Sequence, residues 1–366
     1  MDYTTPQFFH LMQYAVEAEG DVIDMVSGNP DFEPPATLRR ALQAYADFDQ
    51  GRFQYPPSDG LFELRALIAK RRGVDTEQVI ITNGAGEANY LAMAIALDRG
   101  AGSEAILLDP IYPYYPGKVE LLGGTKRVIA TNRDGSIDIG AIEQAMSDET
   151  ALIVLNTPNN PTGAVYDIDD VRHVIDLAET HDAIVLVDEI YDRFDYSGRF
   201  ASAVPIDSEH RIVTSGYSKS MAITGFRVGF AIMPERYIDA ARTRHMLVNV
   251  ASSRPAQYAV LEALRETPDT YYAEARAQLG DRIDAFTAAL DRVGAAYTEP
   301  EGSFYVLTRF DDFPGTMANT KRLIDEAGVA GMPGATFGDA FSDWLRFAVV
   351  TPRAVEAAER LSEYFG

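Results

Sequence analysis

Between residues 79 and 232 the chain alternates short β-branched runs with helical patterns, and few architectures accept such an order. The runs fall at 79–82, 105–108, 127–130, 151–155, 183–187, 211–214 and 228–232, with helical periodicity over 87–97 and 167–180. Strands spaced by helices pair side by side beneath them, so the segment predicts an α/β fold whose mostly parallel sheet carries helices on both faces. In such sheets the loops leaving the carboxyl ends of the strands form the ligand crevice. The unusual sequences at 83–87, 109–116, 156–163, 188–191 and 215–219 each follow a strand candidate, so they can converge on one site. Beyond about residue 245 the pattern changes to long helices at 255–265 and 271–293, strands at 302–307 and 344–350, and a closing helix at 352–365. That predicts a second, smaller α+β domain.

Lysine is scarce, at five of the 32 Lys and Arg residues: Lys70, Lys118, Lys126, Lys219 and Lys321. One of them stands in Ser215-Gly216-Tyr217-Ser218-Lys219-Ser220, a segment of little helix or strand propensity, with Arg227 eight positions later. A lysine kept where arginine is the usual cation suggests a task arginine cannot perform. The ammonium can lose its proton and attack a carbonyl, whereas the guanidinium stays charged and grips phosphate or carboxylate. The segment therefore reads as a covalent anchor followed by an anion clamp.

Five further features have local readings of their own. Asp188 closes the apolar run 183–187, where an acid is costly without a cationic partner but where turn-capping acids are also common. Asn83-Gly84-Ala85-Gly86-Glu87 opens a helix with residues small enough to bring an anion against its N-terminus. Asn156-Thr157-Pro158-Asn159-Asn160-Pro161-Thr162-Gly163 is composed of turn formers. Pro110-Ile111-Tyr112-Pro113-Tyr114-Tyr115-Pro116 is an aromatic loop, either packing or surface on its own showing. Arg346 sits inside an apolar strand and needs an anion, which a substrate or a structural acid could supply.

Together these segments resemble class I/II aminotransferases of fold-type I, and the motifs keep that family's order along nearly the whole chain. The resemblance implies a fold-type I large domain with a seven-stranded-type sheet at 36–245, a small domain at 246–366, and an N-terminal arm at 1–35 folding back onto the small domain. It implies pyridoxal 5′-phosphate bound covalently to Lys219 as a Schiff base, with Ser218, Arg227, Ala85, Gly86 and Glu87 around the phosphate. The family often has Gln or Thr where Glu87 stands, so an acid fits only through its main chain or with its side chain turned away. Asp188 corresponds to the partner of the pyridine nitrogen, Tyr191 and Asn160 to partners of the phenolic oxygen, and Tyr112 to the ring stacked on the pyridine. Asn160, Arg346 and Gly28, the last in a G-x-P-D-F-like turn, correspond to the site of the substrate carboxylate. The segments at 302–305 and 333–338 match the family's small domain. Tyr55 in Tyr55-Pro56-Pro57-Ser58-Asp59-Gly60 resembles a tyrosine that reaches the partner's phosphate in a homodimer; packing within its own subunit is the other reading. The activity implied is amino-group transfer between an L-amino acid and a 2-oxo acid. A lyase or decarboxylase on the same scaffold is the alternative, and a cofactor-binding regulator without turnover a third reading.

A formal charge of −23 with a pI near 4.5 opposes nucleic-acid and anionic-membrane partners, since phosphate surfaces call for a basic face. Acidic excess with little lysine suits concentrated salt, where screening relieves self-repulsion. The absence of cysteine excludes disulfides and thiolate metal sites, and His10, His173, His181, His210 and His245 lack metal-ligand spacing. No apolar run approaches membrane-spanning length, and Asp2 stands where a leader would be basic, so a soluble cytoplasmic protein is expected. No second arginine motif marks a dicarboxylate pocket. Phe8, Phe9, His10, Met12 and Tyr14 could form an apolar lid.

Overall fold

The computed structural model describes residues 7–366, with side chains from Phe9 onward; the Phe8 side chain of the expected lid lies outside them. A first helix, Gln7–Glu17, leads to the short strand β1 (Ile23–Asp24). Strands β2 (Val79–Thr82), β3 (Glu104–Asp109), β4 (Thr125–Ala130), β5 (Thr150–Asn156), β6 (Ile184–Asp188), β7 (Arg211–Gly216) and β8 (Gly229–Ile232) then build a seven-stranded sheet in the order β2-β8-β7-β6-β5-β3-β4. From β4 to β7 the neighbours pair in parallel, while β8 runs antiparallel to both β7 and β2.

Continuous apolar runs become strands buried on both sides because helices cover both faces. Every residue of β2, β5, β6, β7 and β8 is buried. Neighbouring residues face opposite layers: Ile81, Ile153 and Val185 pack with Leu64, Ile68 and Val174, whereas Ile80, Leu152 and Ile184 pack with Leu91 and Ile95. The edge strand β4 is the exception, exposed along nearly its whole length. Lys126 pairs there with Glu120 and Arg127 with Glu104, charges that discourage another strand from adding to the edge.

The C-terminal part adds β9 (Ala296–Tyr297), β10 (Tyr305–Arg309), β11 (Val329–Ala330), β12 (Met332–Pro333) and β13 (Leu345–Ala348). Four of these make an antiparallel sheet in the order β12-β13-β10-β9, and β11 pairs in parallel with β1, so the N-terminal segment joins this end of the molecule. The helices Asp269–Arg292 and Ala354–Phe365 cover it through Leu279, Ile283, Phe286 and Leu361, which pack with Phe347.

Two of the departures from the expected boundaries have a local backbone cause. The strand expected at 302–307 begins at Tyr305, because Ser303 takes φ of 59° and cannot continue an extended run. The helix expected over 87–97 begins at Ala85, since Gly84, with φ of 81°, makes the turn and Ala85, Gly86 and Glu87 form the first helical turn.

Candidate active site

β5, β6 and β7 end side by side, and their carboxyl ends open onto a cavity of about 190 Å³. Asp188, the last residue of β6, is buried on its floor. Burial raises the Asp188 pKa, opposed by hydrogen bonds from Tyr115 Oη (2.7 Å), Asn89 Nδ2 (2.7 Å) and the Ile190 amide (3.1 Å to Oδ1), and by the positive charge of Lys118. Each donor favours the carboxylate over the acid. Burial and these donors pull in opposite directions, and a cationic partner at this carboxylate would favour its ionised form.

Lys219 and Arg227 occupy the loop that joins β7 to its antiparallel neighbour β8. The hairpin holds Ser218, Lys219 and Arg227 on the same cavity wall. Burial, with Arg346 and Arg227 nearby, lowers the Lys219 ammonium to about 8, and Nζ donates to the Gly28 carbonyl at 2.6 Å. Arg227 donates to the carbonyls of Thr224 (2.9 Å) and Asn83 (3.3 Å). Opposite it, Ala85 and Gly86 line the cavity at the N-terminus of the helix Ala85–Asp98. Gly84 has to be glycine: its φ is positive, and a Cβ would lie 2.5 Å from Arg227 Nη2.

A second cavity of about 300 Å³ shares Tyr112, Tyr114, Asn160, Tyr191 and Lys219 with the first and extends to Gly28, Met332, Phe337 and Arg346. Arg346, on β13, is buried; Nη1 donates to Asn160 Oδ1 at 3.3 Å and Nη2 to the Val26 carbonyl, while Nε has no partner. Its guanidinium lies 4.4 Å from the Tyr305 ring centroid, and Tyr305 Oη is 3.2 Å from Tyr191 Oη. Gly28 leaves room for this pair, since a Cβ there would sit 2.1 Å from Tyr305 Oη.

Two anticipated residues stand apart. The Glu87 side chain turns away from the cavity, accepting from His245 Nδ1 (2.8 Å), the Asn83 amide (2.6 Å) and Asn249. Burial opposes its ionisation, but these donors hold its carboxyl below the usual range. Only its main chain is available to the first turn. Tyr55 is 77% exposed and lines neither cavity of its own chain. Conversely, sequence reasoning passed over Asn89, Tyr115 and Lys118. An amide at 89 within the alanine- and leucine-rich 88–97 was a usable signal, because a buried polar group in such a helix needs a partner.

Among the described residues, Lys118, Lys219, Arg227 and Arg346 form no ion pair, although they line cavities whose one carboxylate is Asp188. Four such cations inside a protein of charge −23 fit a ligand that is itself multiply anionic. A phosphate at the helix N-terminus and a carboxylate at Arg346 meet that description.

This fold and site define a class of enzyme, and residues 20–361 match the model of the aminotransferase class I and II family; the chain belongs to that family. It is 31% identical to the aspartate aminotransferase of Thermotoga maritima over 94% of this chain and 91% of that protein. It is equally 31% identical to the aspartate/prephenate aminotransferase of Thermus thermophilus, with the same coverage. A solved single mutant of Thermus thermophilus aspartate aminotransferase superposes with a TM-score of 0.92 at 30% identity, covering 99% of this chain and 97% of that one. The protein is thus a pyridoxal-phosphate enzyme of fold-type I that transfers an amino group between an amino acid and a 2-oxo acid.

Proposed function

We propose that the amino donor is an apolar or aromatic L-amino acid whose carboxylate is taken by Arg346 and whose side chain enters the 300 Å³ cavity. What carries this reading is the lining of that cavity, where Met12, Tyr114, Met332 and Phe337 accompany only two charged side chains, Lys219 and Arg346. Pyridoxal phosphate supplies a carbonyl that condenses with amines and a ring that withdraws electrons from the substrate Cα. Lys219 would hold it covalently, and its lowered pKa would suit its free amine to carry the Cα proton. Asp188 would keep the ring nitrogen protonated, Tyr112 would lie against the ring, and Tyr191 and Asn160 would meet its phenolic oxygen, all four lining the cavity. Ser218, Arg227 and the amides of Ala85, Gly86 and Glu87 hold the phosphate. Gly28 admits the substrate carboxylate beside Arg346.

Incubation with phenylalanine or leucine alone should convert the cofactor stoichiometrically to its amine form, and a 2-oxo acid should restore it. Borohydride reduction should then leave the cofactor on the peptide containing Lys219. Faster conversion by aspartate than by every apolar donor would refute the substrate proposal; ammonia or carbon dioxide released steadily without an acceptor would refute transfer itself.

The wider proposal is a cytoplasmic homodimer of a high-salt proteome, with an arm at 1–35, a large domain at 36–245 and a small domain at 246–366. The dimer is supported by the exposed apolar run Met246, Leu247, Val248 and Val250 together with Phe53, Tyr55 and Phe62. Two domains are supported by a core beneath each sheet, although Ala259, Val260 and Leu264, beyond residue 245, pack into the core of the large one; limited proteolysis nicking near 35 and 245 would test the division. Cell fractionation tests the location. A folding midpoint that does not rise in molar salt would remove the high-salt reading.

A further inference from the structure

Two of the five lysines line one cavity. The other three lie elsewhere: Lys70 is exposed on its helix, Lys126 pairs with Glu120, and Lys321 sits over the Tyr14 ring. Lys219 has its role as covalent anchor, but Lys118 has no role in the transfer described above. It stands on the helix Tyr114–Leu121, half-buried, with Nζ 5.9 Å from the ring centroid of Tyr115, whose hydroxyl donates to Asp188 Oδ2 at 2.7 Å. Among the described residues its ammonium has no hydrogen bond and no ion pair.

We propose that Lys118 is a second counter-ion of Asp188, a positioning residue that competes with the cofactor's ring nitrogen for that carboxylate and so tunes the basicity of the bound cofactor. The proposal rests on the reading of Asp188 as the partner of the ring nitrogen. A cation close to a carboxylate favours its ionised form, and the same cation disfavours a second positive charge nearby. Lys118 can do both and can also be switched off, because burial lowers its ammonium to about 8 against the attraction of Asp188. Arginine in its place would be charged at every working pH. The groups facing it are few. Tyr112, Tyr114 and Tyr115 come from its own segment, Asp188 and Tyr191 from the end of β6, and Lys219 and Arg227 from the β7–β8 loop. The helix Ala85–Asp98 contributes Asn89, which is uncharged. The tyrosines keep their protons, since burial raises all of them, so Lys118, Lys219 and Asp188 are the groups able to change charge on this wall.

The test is a pH titration of the visible absorption of the fully loaded protein, alongside equilibrium binding of pyridoxal phosphate. Lys118→Met should raise the midpoint of the spectral titration by about one pH unit, the order expected for loss of one nearby unit charge. Lys118→Arg should restore the wild-type midpoint, which a purely packing role would not achieve. Asp188→Asn is the control for the underlying reading and should weaken cofactor binding at least tenfold. If Asp188→Asn weakens binding but Lys118→Met leaves the midpoint within 0.2 unit, the counter-ion role alone is overturned. If Asp188→Asn changes neither binding nor spectrum, both readings fall. Melting temperatures of the variants, measured in parallel, show whether the loaded proteins being compared are folded.

Discussion

Gly229→Ala tests whether the β7–β8 hairpin aligns the proposed phosphate cup, formed by Ala85, Gly86, Ser218 and Arg227. A Cβ at residue 229 would lie 2.4 Å from both the Ala85 amide nitrogen and the Gly84 carbonyl carbon. Ordinary contacts need about 3.5 Å, so one backbone must retreat by about 1 Å. Neither can do so alone: Gly229 is paired opposite Gly216 and Thr82, and Gly84 is the turn that starts the helix Ala85–Asp98. Overpacking of this kind costs about 1–3 kcal/mol, and rigid backbone on both sides argues for the upper half of that range. If the strain appears as displacement of that site, cofactor affinity falls about 25- to 140-fold, at about 1.4 kcal/mol per decade. Equilibrium dialysis with pyridoxal phosphate measures this, and differential scanning calorimetry of the apo-protein measures any stability loss. Gly86→Ala makes the contrasting comparison. Its Cβ would meet nothing closer than Arg227 Nη2 at 4.0 Å, so it should keep or raise the melting temperature, alanine being the better helix former, while weakening the cofactor through the space it fills. Wild-type affinity in Gly229→Ala would refute the argument that this approach aligns the cup.

Arg346→Met should lower kcat/KM for the amino donor by about 10²–10³-fold, as expected when a buried carboxylate loses its charged partner; a loss under tenfold would assign the arginine a structural role. Because the Lys219 amine becomes neutral as pH rises through about 8, covalent uptake of pyridoxal phosphate by apo-protein should quicken between pH 7 and 9, and a flat stopped-flow profile would contradict this. If the proposed homodimer places Tyr55 across its interface, then in a hybrid of Tyr55→Phe with Lys219→Ala the only catalytic lysine would be served by the intact Tyr55 of the other chain, and that site should bind the cofactor with wild-type affinity. Affinity weakened there by about fivefold, the value of one hydrogen bond, would show that Tyr55 acts within its own subunit.

Much of the large sheet was readable because its strands are buried on both faces, and such strands announce themselves as apolar runs. Strand direction was not: nothing in Gly229–Ile232 distinguishes an antiparallel neighbour, yet that reversal is what puts Lys219 and Arg227 on one loop. The residues that touch the cofactor region could be matched because Lys219, Asp188 and Arg346 are polar groups in settings hostile to them. Their supports are less visible. Asn89 and Tyr115 become meaningful only when the helices Ala85–Asp98 and Tyr114–Leu121 converge on β6, a tertiary event. Glu87 illustrates the reverse, since its place in the first turn suggested a phosphate contact whereas His245, 158 positions away, draws its side chain off.

The path of the chain through the substrate side also sets when activity can first exist. Lys219 reaches back 191 positions to Gly28, and Arg346 reaches back 320 to Val26; β1 pairs with β11 across a similar span. During synthesis the phosphate cup and Lys219 emerge well before β13. A ribosome-bound chain lacking the last two dozen residues therefore carries Lys219, the proposed covalent anchor, but not Arg346, the proposed grip on the substrate carboxylate. Loop closure on this scale is slow relative to local pairing, so the newly made protein should gain cofactor binding before it gains turnover.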